Sequence, residues 1–210
     1  ARAAVERDSP EVVVLYLTEI DGIQHRVGTR HPELDRALAA LEEVLRGFLD
    51  LLEQRGPVGV TLFSDHGMTD IASHHDLLGE LAAEGFRRGR DYRGFLDSTV
   101  ARFWEVRDPR ALEAALRRLT WGRVLDEATL AAWRLRFPRG EYGDLFFVAD
   151  PGALILPSDM GTEPLAAMHG YDPADPTCDA CILSDREIPL GADHITAVLP
   201  ALRRRIAGEA

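Results

Sequence analysis

The sequence predicts an α/β protein with a mostly parallel sheet flanked by helices and a small α+β insert. Two apolar runs, residues 12–17 and 58–63, end at polar breaks, which is typical of buried parallel strands. Between them, residues 32–54 place apolar side chains at alternating steps of three and four, which predicts one amphipathic helix. This order indicates a βαβ unit, so residues 18–25 and 64–68 should emerge at the same sheet edge.

The elements that follow are shorter and mixed in type. The predicted helices and extended segments are 76–84, 98–106, 109–119, 127–135, 145–148 and 153–156, followed by a strand at 179–184 and a helix at 192–207. We therefore divide the chain into an α/β core, residues 1–85 and 149–210, and an α+β insert, residues 86–148. The large aromatic side chains of the insert are interpreted as its core rather than as a base-stacking platform; they are Phe95, Phe103, Trp104, Trp121 and Trp133.

Composition excludes several classes of protein. The 210 residues are 46% apolar and 28% charged, as in an ordinary globular protein. A net charge of −11 argues against nucleic acid as a partner, because phosphate backbones require basic surfaces, but it leaves small phosphate substrates open. No apolar run approaches the roughly 18 residues of a membrane span, and no signal-peptide core is present near Ala1, so we expect a cytoplasmic protein without a membrane partner.

Three groups of aspartate and histidine follow predicted strands. Asp65 and His66 come directly after residues 58–63; the alternative reading is a helix-capping Asp beside an incidental His. Asp21 and His25 are four residues apart, so a helix there would place both on one face, and His169 opens a glycine-containing loop. Mixed carboxylate and imidazole ligands suit zinc, manganese or iron better than calcium, and the three groups together predict a metal site.

These motifs resemble a known family. The segments Tyr16–His25, Ser64–Met68 and His169–Tyr171 are similar in type and order to the alkaline-phosphatase superfamily, most closely its type I phosphodiesterase/nucleotide pyrophosphatase branch. The resemblance covers nearly the whole chain and implies part of an alkaline-phosphatase-like core. It also implies a metal-dependent phosphoric ester hydrolase that acts on small phosphate esters through two divalent ions, zinc or alternatively manganese.

The resemblance further assigns the ligands of each ion. One ion is expected to bind Asp21, His25 and His169, and the other Asp65 and His66. Two cations about 4 Å apart can clamp a phosphoryl group while a hydroxyl attacks it in line. The two sites are therefore expected to act together on one phosphate ester.

Two parts of the family pattern have no match in the sequence. Family members carry a further metal-binding Asp and a Thr or Ser nucleophile upstream of the segment that matches Tyr16, and only 15 residues precede it here. Thr18 and Ser64 align with neither role. We therefore expect that this chain contains no catalytic nucleophile and that its missing partner is the N-terminal half of the same enzyme. By itself the chain should be inactive, and it should self-associate through exposed sheet surface.

Other reactions and other residues remain as alternatives. The same core serves phosphomonoester, phosphonate and sulfate-ester hydrolysis, and a non-catalytic binding module is a further possibility. His74 and His75 either reach substrate or begin a solvated helix, and Glu19 either orients a ligand or is a plain strand-end charge. Asp172 is interpreted as capping the His169 loop rather than as binding metal.

Overall fold

The computed structural model describes residues 1–137, 140–188, 190–191 and 194–208. Its α-helices are α1 (Arg2–Asp8), α2 (Glu19–Val27), α3 (Pro32–Glu53), α4 (Leu77–Ala83), α5 (Pro109–Leu116), α6 (Glu127–Ala132) and α7 (Val198–Ala207). Single 3-10 turns form at Pro176–Cys178 and Ile195–Ala197. The α7 helix confirms the C-terminal part of the predicted terminal helix, whose residues 192–193 lie outside the described residues.

The strands pair into several small sheets. They are β1 (Thr61–Phe63), β2 (Thr69–Asp70), β3 (Ser73–His75), β4 (Arg93–Leu96), β5 (Val100–Trp104), β6 (Gly122–Val124), β7 (Leu145–Ala149), β8 (Ala153–Ile155), β9 (Ala167–Met168) and β10 (Ile182–Ser184). Antiparallel pairs join β1 to β10 and β2 to β9, a parallel pair joins β3 to β8, and a four-stranded antiparallel sheet has the order β4-β5-β7-β6. The mixed α/β class is confirmed, and its predicted parallel character is found in part, at β3 and β8.

Local sequence signals predicted the positions of several helices correctly. The long helix α3 begins at Pro32, as predicted from the proline near its start and the apolar repeat that follows. Asp76, Asp108 and Asp126 each cap the helix that follows, because their carboxylates accept the backbone N–H three residues ahead. Within the described residues, no helix is both long enough and apolar enough to cross a lipid bilayer.

The predicted βαβ unit is wrong in its pairing. Residues 12–17 form no strand, although all six are described. The second predicted strand is found at β1, but its partner is the distant strand β10, in antiparallel register with Phe63 opposite Ile182. Apolar, β-branched sequence favours an extended chain, whereas pairing depends on long-range contacts that this local pattern does not contain.

Contacts divide the chain into two compact units. The first contains residues 1–17, 36–67 and 180–210, and the second contains residues 18–35 and 68–179. The whole predicted insert, residues 86–148, lies within the second unit. The predicted boundaries between core and insert stay a prediction.

In the first unit, one arginine ties the last helix to the β1–β10 pair. Arg205 of α7 donates to the carbonyl of Val60 and, at 2.8 Å, to the hydroxyl of Thr61. It also bonds Ser184 and the carboxylate of Asp185, whose pKa this arginine lowers. The approach is close, because a Cβ built on the glycine at position 59 would lie 2.7 Å from the Arg205 guanidinium.

The first unit also leaves large apolar side chains in solvent. Val14 is 84% exposed and Tyr16 is 82% exposed in the segment that forms no strand. Leu183 in β10 and Ile206 in α7 are each more than 60% exposed.

The second unit is organised around the four-stranded sheet. Alternate residues of β5 point to opposite faces, so Ala101 and Phe103 are fully buried in its main core while Arg102 and Trp104 lie on the other face. The fully buried large side chains of this core are Leu77, Leu81, Leu96, Phe103, Leu112, Leu116, Phe147 and Ile155.

The aromatic residues of the insert serve different roles. Phe103 and Trp121 are confirmed as core residues, and Trp133 packs against a smaller cluster around Phe146. Phe95 and Trp104 are only half-buried, and the guanidinium of Arg102 lies over both rings. Phe103 and Trp121 are therefore core residues as predicted, but their cluster also contains residues outside 86–148, and a separate core of the insert stays a prediction.

Burial of His75 predicts a pH-dependent stability. His75 stacks on Trp121 at 4.3 Å, its Nε2 lies 2.9 Å from Ser73 Oγ, and Glu80 and His74 are the charged groups that act on it. Desolvation lowers its pKa, so the unfolded chain takes up a proton first as the pH falls below about 6.5. The stabilising contribution of neutral His75 is therefore present above that pH and is lost as the pH falls through the lowered folded pKa.

We expect the midpoint of urea unfolding to decrease between pH 7 and pH 5, and to decrease less steeply in His75→Gln. An exposed histidine of the same unit provides the control, because His31→Gln removes an imidazole that is not among the groups acting on His75. Equal slopes in the wild type and His75→Gln would contradict the assignment.

Candidate metal centre

Helix α2 places Asp21 and His25 on one face. The two residues are separated by one helical turn, and His25 Nε2 lies 3.3 Å from Asp21 Oδ1. The helix ends at Gly28, whose φ of 88° is readily adopted only by glycine and whose N–H bonds to the carbonyl of Gln24. The helix that the sequence required for a shared Asp21–His25 face is therefore present.

The third side chain of the cluster follows the short strand β9. His169 directly follows β9, and its Nε2 lies 3.8 Å from the same Asp21 Oδ1. The rings of His25 and His169 are 5.2 Å apart between centroids. One potential ligand atom from each of the three residues lies within 4.8 Å of the others, so one cation is able to contact all three.

A backbone contact fixes the orientation and tautomer of His25. Its Nδ1 lies 2.9 Å from the carbonyl oxygen of Ala167, and only a protonated nitrogen donates to a carbonyl. The proton of neutral His25 therefore sits on Nδ1, and the lone pair of Nε2 faces Asp21. A carbonyl on the distal nitrogen is the usual support of a metal-binding histidine.

The carboxylate of Asp21 meets the requirement of a metal ligand. Asp21 Oδ1 is buried and has no hydrogen-bond partner among the described residues. A buried, unsatisfied carboxylate oxygen is costly, and a cation held with His25 and His169 would remove that cost. One oxygen and two imidazole nitrogens also form a donor set that suits zinc or manganese.

A buried threonine supports the His169 loop. Thr99, which is 3% exposed and directly precedes β5, donates its hydroxyl to the carbonyl oxygens of His169 and Gly170 at 3.2 Å and 3.0 Å. Gly170 has φ of 88°, and a Cβ there would lie 2.8 Å from the Thr99 hydroxyl. No sequence pattern singles out Thr99, because its role depends on a contact across 70 residues.

Asp65 and His66 lie in the first unit, beyond β1. His66 Nδ1 lies 2.8 Å from the carbonyl oxygen of Gly67, and His66 Nε2 lies 3.5 Å from Asp65 Oδ1. No helix follows Asp65 directly, so its alternative reading as a helix cap is wrong. The assignment of Asp65 and His66 to a second metal ion stays a prediction.

Hydroxyl and carboxylate neighbours of the motifs have structural roles. The Ser64 hydroxyl accepts the N–H of Cys181 at 2.9 Å, which extends the β1–β10 pairing. Asp172 accepts the N–H of Ala174 and the guanidinium of Arg123, so its interpretation as a loop cap is confirmed. His74 is exposed on β3.

Comparison with known proteins identifies the class of this chain. The sequence profile of the type I phosphodiesterase/nucleotide pyrophosphatase family matches residues 1–172. The chain therefore belongs to the type I phosphodiesterase/nucleotide pyrophosphatase family, as the sequence motifs predicted.

Solved structures share the fold of this chain. The chain is similar to murine ectonucleotide pyrophosphatase/phosphodiesterase 5, with 21% identity and a TM-score of 0.64, and an inactive variant of that protein was solved in complex with AMP. The human protein of the same name gives 19% identity and a TM-score of 0.65. Each match covers 79% of this chain and 44% of the other, so the chain spans less than half the length of these neighbours.

Proposed function

We propose that this chain provides metal-binding residues of a phosphodiesterase or nucleotide pyrophosphatase. The observation that supports the proposal is the cluster of Asp21, His25 and His169 around one buried, unsatisfied carboxylate oxygen. Membership in the type I phosphodiesterase family supports phosphate esters or nucleotides as the substrate class. No specific observation favours the two alternatives, which are a non-catalytic binding module and the hydrolysis of other esters.

The residues of the chain have distinct roles in this proposal. Asp21 and the Nε2 atoms of His25 and His169 hold one divalent ion, zinc or manganese, and Asp65 and His66 contribute to a second site. When bound, the ion would act as a Lewis acid toward a phosphoryl oxygen and would favour deprotonation of the attacking hydroxyl. The carbonyl of Ala167 keeps the proton of His25 on Nδ1, and the Thr99 hydroxyl holds the backbone of His169.

The nucleophile is assigned to none of these residues. Ser64 uses its hydroxyl to accept the N–H of Cys181, and Thr18 precedes α2 without a side-chain capping bond. We propose that the attacking hydroxyl lies upstream of this chain in the same enzyme. The 210 residues alone are then expected to bind metal but to give no hydrolysis above that of the buffer.

Hydrolysis of bis(4-nitrophenyl) phosphate by the product of the complete gene tests the proposal. With Zn²⁺ or Mn²⁺ present, Asp21→Asn and His169→Ala are expected to lower the rate by roughly 100-fold or more, because each removes a ligand. Asp172→Asn is the matched control, since this carboxylate lies in the His169 loop but pairs with Arg123. The rate of the control should stay close to that of the wild type.

Two results would contradict the proposed reaction. One is a diester rate that is unchanged in Asp21→Asn and His169→Ala. The other is faster turnover of 4-nitrophenyl phosphate or 4-nitrophenyl sulfate than of the diester, which would favour monoester or sulfate-ester hydrolysis on the same core.

We also propose that the exposed apolar side chains of the first unit cause the chain to self-associate. Val14, Tyr16 and Leu183 are each more than 60% exposed. Light scattering is expected to show a mass that rises with protein concentration, and a Val14→Ser, Tyr16→Ser double variant should remain closer to monomeric. A monomer at every concentration in the wild type would contradict this expectation.

A further inference from the structure

A single carboxylate closes the loop that follows helix α2. Asp70 Oδ1 accepts the backbone N–H of Thr29 at 2.7 Å, and Asp70 Oδ2 accepts the Thr29 hydroxyl at 2.8 Å. Both oxygens of Asp70 are therefore bonded to one residue across 41 positions of sequence. Charge-assisted hydrogen bonds of this kind are stronger and geometrically tighter than neutral ones.

The loop is shaped to let this carboxylate approach. Gly28 is buried and ends α2, and a Cβ built on it would lie 3.0 Å from Asp70 Oδ1. A carboxylate beside a helix C-terminus opposes the helix dipole, so its position is not explained by favourable dipole electrostatics. It is explained by the two donors that Thr29 offers.

Asp70 connects this helix end to the strand that supports the metal ligands. Asp70 lies in β2 directly opposite Ala167 of β9. The carbonyl of Ala167 accepts His25 Nδ1, and the N–H of Ala166 donates to the carbonyl of His25 at 2.8 Å. His169 is two residues beyond Ala167 in the chain. The β2–β9 pair is therefore next to both histidine ligands.

We propose that Asp70 is a positioning residue of the metal centre. By holding Thr29, it keeps the last turn of α2 against β9, so that His25 stays bonded to Ala167 with its Nε2 facing Asp21. The inference rests on the proposed metal-binding function of Asp21, His25 and His169. Asp70 itself is not assigned as a ligand.

Two measurements on the 210-residue chain test this role. The first is Zn²⁺ affinity by calorimetry, in which Asp70→Ala is expected to bind roughly 10-fold to 100-fold more weakly, as is usual when the support of a ligand is removed. The second is long-range ¹H–¹⁵N NMR of the metal-free protein, in which His25 should change from the Nδ1–H tautomer toward a mixture. The tautomer reports the His25–Ala167 contact without any metal.

Matched variants separate positioning from general destabilisation. Asp76→Ala removes another carboxylate that accepts a backbone N–H, that of Gly79, and should leave both measurements unchanged. Asp70→Asn retains groups able to bond Thr29 and should restore most of the affinity. Thr29→Val removes only the hydroxyl and should give an intermediate loss, which keeps the test valid if Asp70→Ala folds poorly.

The possible failures are distinguishable. Zn²⁺ affinity and His25 tautomer in Asp70→Ala equal to those in Asp76→Ala would overturn the positioning role while leaving the metal site intact. Absence of Zn²⁺ binding in the wild type would overturn the proposed function. In that case a tautomer change in Asp70→Ala would still support the control of His25 by Asp70, and an unchanged tautomer would overturn it.

Discussion

Replacing His169 by alanine is expected to lower the affinity of the chain for Zn²⁺ by roughly 100-fold or more. Loss of a residue that merely supports a ligand already costs up to about 100-fold, and His169 is proposed as a ligand itself. His25→Ala should give a similar loss, because its Nε2 and that of His169 face the same oxygen of Asp21. Equilibrium dialysis with Zn²⁺, followed by metal analysis, measures both effects.

A third histidine of the second unit provides the control for this experiment. His31 is exposed and accepts the N–H of Glu33 at the start of α3, outside the cluster. His31→Ala should bind Zn²⁺ as the wild type does. Equal affinities of His169→Ala and the wild type would remove this histidine from the site, and Zn²⁺ binding lost equally in His31→Ala would indicate nonspecific capture by histidines.

Replacing Phe103 by alanine is expected to destabilise the second unit by about 3–5 kcal/mol. Phe103 is fully buried in the central strand β5 and meets the ring of Tyr92 edge-on at 5.2 Å. A folded domain is stable by only about 5–15 kcal/mol, so this loss would remove a large share of the margin. Urea unfolding followed by tryptophan fluorescence, to which Trp121 of the same core contributes, measures it.

A phenylalanine at the surface of the same unit gives the comparison. Phe137 is 48% exposed, and Phe137→Ala should change the free energy of unfolding by less than about 1 kcal/mol. If Phe103→Ala does not fold, Phe103→Leu should show a smaller loss in the same direction. Equal unfolding midpoints for Phe103→Leu and the wild type would contradict the central role of this core.

The helices were predictable because their signals are local. The apolar repeat of α3 and the capping aspartates before α4, α5 and α6 all act within one or two helical turns. Strand partners were not predictable in the same way. Residues 58–63 have the composition of a strand, but nothing within them specifies antiparallel pairing with residues 182–184.

The same distinction between local and long-range signals applies to the residues of the candidate site. Asp21 and His25 were predictable as a pair from their spacing on one helix. His169 was predicted as part of a metal site from its place at the start of a loop, but its assignment to the same ion as Asp21 and His25 came only from the resemblance to a family. Asp70 and Thr99 carry no sequence signal, since their importance lies in pairs of hydrogen bonds to distant segments. Polar residues of this type are recognised only when the backbone around the ligands is known.

The contacts of Arg205 give the C-terminal helix an influence on residues far from it in sequence. The guanidinium bonds the backbone and side chain of residues 60–61, and β1 continues from there into Ser64, Asp65 and His66. A protease cut, a stop codon or a fusion partner that disturbs residues 198–207 would therefore act on the segment that presents those side chains. An intact last helix is therefore expected to keep residues 60–61 in place at the start of the segment that leads to Asp65 and His66.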